Sequence, residues 1–391
     1  GFKILEDWAF NANLDAKDID DERGVVIEEY RTRLGANERM MREYLPKMLY
    51  NSMYAKRLPI GTKENLETFK HEEIRQFYKD WYRPDLMAVI VVGDIDVNEM
   101  EKKIKSHFGS YKNPANAPAR KSFDIPNHKE TFVSISTDKE ATNANVQILY
   151  KDQGISKPST TVGDYRNDLI EGLFGQMINA RLEEYTNSAN PPFIYGYSYY
   201  GGMYGRNKDA FQSFAMTAED KQLEAIKTLA IENERAKRYG FTQSELDRAK
   251  SEYLSSYEKA YNDRDKNNSS AYLGQYQSNF LEGEAIPSID YEFNLVKELL
   301  PTITLNETNK LIQNYIKDEN RVIILTGPER KDGGKTTEKE VLAALDVSKI
   351  EITPYQEATI AESLIRNEIK TGKVVKTTKN AKLGTTTLEL S

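Results

Sequence analysis

The sequence predicts an α+β fold, with helices packed on one face of a mainly antiparallel sheet. Three observations predict it. Short alternating or apolar runs between residues 131 and 217 read as strands, helix-period segments fill most of the remainder, and one further buried run, "RVIILTGPE", follows a long helical stretch. At 391 residues the chain exceeds one ordinary core, so two domains are expected.

Taken in order, Phe2, Leu5, Trp8 and Ala9 mark a helical stripe that starts without a capping residue. A long helical pattern from Asp21 to Tyr50 follows, then "LPIGTKENL" as a turn segment, then a helix bearing Ile74, Phe77, Tyr78 and Trp81. Pro84 ends that helix, Leu86 to Val92 reads as a buried strand, and Asp96 with Glu99 forms a capping box for the next helix. Residues 1–112 therefore hold several helices and one strand, which is not a sheet. Partner strands are expected from a preceding segment or another chain, leaving this first domain incomplete. The Pro-, Asn- and Ala-rich residues 113–126 read as a linker.

The second domain, residues 127–346, opens with a strand from Thr131 to Ser136 and another in "NANVQILYK", then a helix from Val162 to Glu184. "FIYGYSYYGGMYG" and "AFQSFAMTA" alternate as a hairpin whose period sends Tyr195, Tyr197 and Tyr199 to one face. Four helices follow, two opened by capping boxes, Thr242 with Glu245 and Thr304 with Glu307. Phe77, Trp81 and the strand ending at Gly93 have the spacing of Leu311, Tyr315 and the strand ending at Gly327, so the two domains are expected to be duplicates. Residues 347–391 read as a linker toward a following repeat, ending in one short strand. Both ends are expected to be cut from something larger.

Composition excludes several classes. The 54 basic and 61 acidic residues leave a net charge of -7 and no basic stripe, which argues against a nucleic-acid partner. Cysteine is absent, so neither a disulfide framework nor a thiolate metal site is available. No apolar run reaches the roughly 18 residues of a transmembrane segment, and "GFKILEDWAF" lacks a signal-peptide layout.

His71, His107 and His128 are each solitary, and "HEEIR" has Arg75 where the second histidine of H-E-x-x-H belongs. They are expected to be surface or helix-end residues. "GPERKDGGKT" resembles a phosphate loop but carries Glu329 where its first glycine is required, so a polar turn is the better reading. The tyrosine run, Tyr195 included, offers faces for a peptide or sugar, although half of a strand normally packs into a core. Glu22 and Glu29 lie seven residues apart and project from nearly the same helix face. By spacing alone they are either a solvated pair or half of a metal site.

The segments "ERGVVIEEY", "LPIGTKENL", "FYKDWYRPDLMAVIVVGDID" and "GQMINARL" together resemble the insulinase/pitrilysin family of zinc metallopeptidases, and the resemblance covers essentially the whole chain. It implies the LuxS/pitrilysin-like metallopeptidase fold and one zinc ion. In that family H-x-x-E-H supplies two histidine ligands and the glutamate that activates water, and a distal glutamate completes the shell. The resemblance maps the third ligand onto Glu29 and its supporting acid onto Glu22, with Glu28 turned about 100° away. Val25, Val26 and Ile27 would pack the helix down. No H-x-x-E-H occurs here, so no catalytic residue is expected in this chain, which alone should be inactive.

The implied function is that of a fragment of a zinc endopeptidase, whose metal-activated water attacks a peptide carbonyl inside a chamber closed by two halves. Its partners would be peptide substrates and the polypeptide that completes the first domain. Tyr195 is the candidate substrate contact. The alternatives are a non-catalytic scaffold or binding subunit of the same fold, and a metal-free peptide or carbohydrate binder. Bacterial relatives point to the periplasm or cell envelope, with the cytoplasm as the alternative.

Overall fold

Residues 1–112 form six helices, α1 (Phe2–Phe10), α2 (Ala16–Arg33), α3 (Ala36–Met48), α4 (Lys63–Thr68), α5 (His71–Trp81) and α6 (Val97–Phe108), and, among the described residues, no strand. The computed structural model describes every residue except 155, 205, 331, 332 and 358–370. The helix expected from Asp21 to Tyr50 is broken in two, because Gly35 takes an extended conformation as N-cap of α3. The expected strand over Leu86–Val92 does not form. Residues 87–92 run without a ladder partner and are half-buried or exposed, and an apolar run becomes a strand only where a neighbour takes its N–H and C=O groups.

The helices around that segment carry an uncovered apolar face. On α1, Phe2 and Phe10 turn onto Phe108 and Tyr111, with ring centroids at 5.6 and 4.0 Å. Trp8 is left 69% exposed beside Ile4 and Leu5, and Phe77 of α5 is likewise exposed. A helix normally buries such a stripe against a sheet or a second helix.

The sheet lies between residues 132 and 327. It is built from β1 (Phe132–Thr137) and β2 (Ala144–Lys151), then, after α7 (Val162–Thr186), from β3 (Tyr195–Gly202) and β4 (Asp209–Thr217). Five helices, α8 (Gln222–Tyr239), α9 (Gln243–Asn262), α10 (Ser269–Glu282), α11 (Ile289–Leu299) and α12 (Leu305–Tyr315), precede β5 (Arg321–Gly327), and α13 (Glu338–Leu345) follows it. The sequence had suggested four; Gly283, at φ 81°, closes α10 as a left-handed cap and separates it from α11. Both expected capping boxes form, at Thr242 and Thr304.

The strand order is β1-β5-β2-β4-β3, parallel between β1 and β5 and antiparallel at the other three pairings. One face carries the main core, in which Ile148, Phe174, Phe211, Leu229 and Ile323 are buried together. The other face is covered over β1, β5 and β2 by α3, whose Leu45, Met48 and Leu49 meet Leu149, Val322 and Ile324. A helix of the first 112 residues therefore packs on the face opposite the main helix layer. That is why β5 is a continuous apolar run: it is buried on both faces. The spacing shared by α5 and α12 holds for the helices alone. Val322–Leu325 lies between two strands, whereas residues 87–92 have no neighbouring strand.

Residues 354–391 form a separate unit. Its described part holds a hairpin of β6 (Val374–Asn380) and β7 (Thr385–Leu390), two strands where the sequence suggested one, and it turns through Gly384 at φ 62°.

Candidate functional site

Helix α2 carries the acids singled out by sequence. Asp18 in its first turn and Arg31 and Arg33 in its last complement the helix dipole. Arg23 anchors it, donating to the carbonyls of Leu66 at 2.6 Å and Phe69 at 2.9 Å while its guanidinium lies 3.8 Å over the Phe69 ring. Glu22 is exposed. Glu29 is 43% exposed and pairs with Arg33 at 2.5 Å. Glu28 turns elsewhere, as its rotation requires, and meets Arg31 at 2.8 Å. Val25 does not pack the helix down: it is 58% exposed, and of this helix only Ile19 is buried.

The histidines serve other contacts. His71 Nε2 bonds Asp20 at 2.8 Å, which holds the Asp20 carboxyl below its usual range. His107 Nε2 lies 2.8 Å from Glu6. His128 is buried rather than at the surface, because its ring stacks on Phe132 at 4.0 Å and meets Tyr50 edge-on. Burial pushes its pKa down, and the charge of Lys151 adds to that. Among the described residues no three histidine, aspartate or glutamate side chains converge where they would hold a metal. Zinc ordinarily takes three protein ligands in a catalytic site. Glu29 offers one carboxylate, so the described residues alone do not assemble a zinc site.

On β3, Tyr195, Tyr197 and Tyr199 share one face, as the alternation predicts, with ring centroids 5.5 and 5.7 Å apart. This is the face away from the main core, beyond the part covered by α3, and Tyr195 is 51% exposed. Gln212 donates to the Tyr199 hydroxyl at 2.7 Å and accepts from Gln147 at 2.7 Å. Tyr200 points the other way, stacks on Tyr315 at 4.2 Å and donates to Asp152 at 2.8 Å. Burial pushes the nearby Glu171 carboxyl up to about 7.

Arg181 and Lys151 are among the buried cations that the sequence expectations did not include. Arg181, inside "GQMINARL", donates to Glu245 at 2.6 and 2.9 Å, to Glu232 at 3.1 Å and to the Gly240 carbonyl at 3.0 Å. Its one sequence signal is a charge within an otherwise apolar stripe of α7, Leu173, Phe174, Met177, Ile178 and Leu182. Lys151, at the end of β2, donates to the Met48 carbonyl of α3 at 3.3 Å. In "GPERKDGGKT", Lys331 and Asp332 lie outside the described residues; Thr337 caps α13 in an ordinary capping box with Glu340.

Residues 68–253 match the peptidase M16 inactive domain. The chain thus carries a peptidase M16 inactive domain, and its structural neighbours are insulinase/pitrilysin (M16) proteases. An M16 relative in Arabidopsis thaliana, "Zinc protease PQQL-like", is 29% identical over 401 residues, covering 99% of this chain and 38% of its own length. The crystal structure of the periplasmic protease PqqL from Escherichia coli matches with a TM-score of 0.83 at 22% identity, covering 100% of this chain and 43% of that one. The first half of the same protease, solved separately, matches with a TM-score of 0.81 at 22% identity, covering 91% of this chain and 76% of that one. The chain thus spans well under half the length of its curated M16 relative. The M16 fold accounts for the mainly antiparallel sheet and its helix layer.

Proposed function

We propose that this chain forms most of the N-terminal half of a zinc-dependent endopeptidase, with Glu29 as third zinc ligand, Glu22 as its supporting acid and Tyr195 as a substrate contact. Residues 1–112 would be part of the zinc-ligand domain, 113–126 a linker, 127–346 a second, non-catalytic domain and 347–391 a connection to a following repeat. The observation that supports this reading is the face of α2, where Glu22 and Val25 stand exposed beside the half-buried Glu29 in a helix layer with no strand of its own. Strands and two further ligands from outside this chain would complete that layer. Zinc held there would polarise a peptide carbonyl and acidify a water. Glu29 would orient toward the metal on a helix that Arg23 anchors, exchanging its contact with Arg33 for the ligand bond. Peptides are the substrates this reading implies, and the name of the E. coli neighbour favours a periplasmic or envelope location.

Zinc content of the complete protein, with and without Glu29→Gln, tests this. Zinc bound near one equivalent in the parent and lost in the variant is the expected outcome. Unchanged zinc in the variant removes Glu29 from the metal shell. A second reading, a non-catalytic scaffold of the same family, is favoured by the match to an inactive domain and by the Glu29–Arg33 pair. It predicts no stoichiometric zinc in the complete parent protein, and peptide affinity that is indifferent to chelators.

A further inference from the structure

A cavity of about 590 Å³ opens at the amino-terminal end of α7, between the loop at Ser159–Thr161, α10 and α11. It is independent of the proposed zinc site. Asp168, Glu284 and Glu292 line it, and among the described residues no lysine, arginine or histidine does. Glu292 is fixed in position: the Tyr165 hydroxyl lies 2.8 Å and the Tyr257 hydroxyl 3.2 Å from its Oε1. Neither of these contacts engages Oε2. Burial first, then the charges of Glu282 and Asp168, holds the Glu284 carboxyl above its usual range, a repulsion that a bound cation would relieve.

The helix end does not counteract this. In the capping box of α7, Asp164 Oδ2 accepts from the N–H groups of Thr160 and Thr161 at 3.2 and 3.0 Å and from the Thr161 hydroxyl at 2.8 Å. The positive end of that dipole already has its carboxylate. The three lining acids sit on α7, before α11 and on α11, and they do not converge as metal ligands. Apolar wall is available beside them in Val162 and Leu295, and the exposed Tyr291 ring stands at the mouth, where an aromatic face attracts a cation.

We propose that this cavity binds an organic cation carried on an apolar chain, the chemistry shared by an arginine or lysine side chain and a free polyamine. The full chain is titrated, by calorimetry and by amide NMR, with an acetylated and amidated Ala-Arg-Ala tripeptide, with its citrulline counterpart, and with spermidine. Saturable shifts at residues 159–168 and 284–292 with the arginine peptide, absent with the citrulline peptide, are expected. Spermidine binding without peptide binding supports the site and assigns it to a free amine.

Glu284→Gln and Glu292→Gln, the latter keeping an acceptor oxygen for the two tyrosines, should each weaken binding about tenfold at an unchanged melting temperature. If Glu292→Gln fails to fold, Glu284→Gln carries the same charge test. Binding of neither cation, equal binding of the citrulline peptide, or full affinity in a folded Glu284→Gln variant would overturn the proposal.

Discussion

Lys151→Met should stabilise the protein. Lys151 is 3% exposed, its ammonium has the Met48 carbonyl as acceptor at 3.3 Å, and no salt bridge to an acid accompanies it among the described contacts. Burial, with the charge of Lys208 added, lowers its pKa from 10.5 to about 8. At about 1.4 kcal/mol per unit, keeping the ammonium there at pH 7 costs roughly 3 kcal/mol. Methionine keeps the unbranched stem and opens little cavity, but it leaves the Met48 carbonyl without that donor, a loss of about 1 kcal/mol. The net expectation is a gain of roughly 2 kcal/mol at pH 7.

The pH dependence supplies an independent check. The unfolded chain holds this proton up to about pH 10.5 and the folded chain only up to about 8, so the penalty is complete below pH 8 and fades as pH rises between them. From pH 7 to pH 9 the parent should therefore gain roughly 1 kcal/mol relative to the variant. Urea unfolding of both proteins at the two pH values measures this. A variant less stable than the parent at pH 7, or a difference that does not shrink toward pH 9, would refute the reasoning.

Arg181→Met should act in the opposite sense. It leaves the buried carboxylate of Glu245 without the Arg181 cation and Glu232 with Arg235 and the Tyr185 hydroxyl, so a loss of about 3–5 kcal/mol is expected in thermal or urea unfolding. Glu171→Gln removes a carboxyl whose folded pKa, about 7, lies above its unfolded value near 4.5. The folded state then binds the extra proton, so stability falls as pH rises from 4.5 to 7 in the parent and should fall less in the variant. Melting temperatures at pH 5 and pH 8 give the comparison.

Local chemistry was legible. Alternation placed β1, β2 and the β3–β4 hairpin, and a threonine three residues before a glutamate placed the starts of α9 and α12. Contacts between distant segments were not. Arg181 meets acids 51 and 64 positions away, and α3 reaches across to Val322 and Ile324 from the far side of the sheet. No local pattern separates an arginine that pairs with buried acids from one that faces water. Leu86–Val92 and Val322–Leu325 read alike because a strand is defined by its neighbours as much as by its own residues.

The Glu22/Glu29 face poses the same problem in a sharper form. Val25 stands three residues after Glu22 and four before Glu29, on the same surface of the helix. A valine 58% exposed there forgoes much of the roughly 1.5–3 kcal/mol that burying it would contribute. Two acids around an unburied valine are poorly suited to a merely wet helix surface and well suited to one that another segment covers. Under the proposed function, metal ligation by Glu29 and burial of Val25 go together, whereas a non-catalytic scaffold would bury Val25 without zinc. The polypeptide that would bring the remaining ligands to Glu29 would also lie over Val25, so protection of Val25 on assembly together with loss of zinc on Glu29→Gln supports the peptidase reading, and protection of Val25 without bound zinc supports the scaffold.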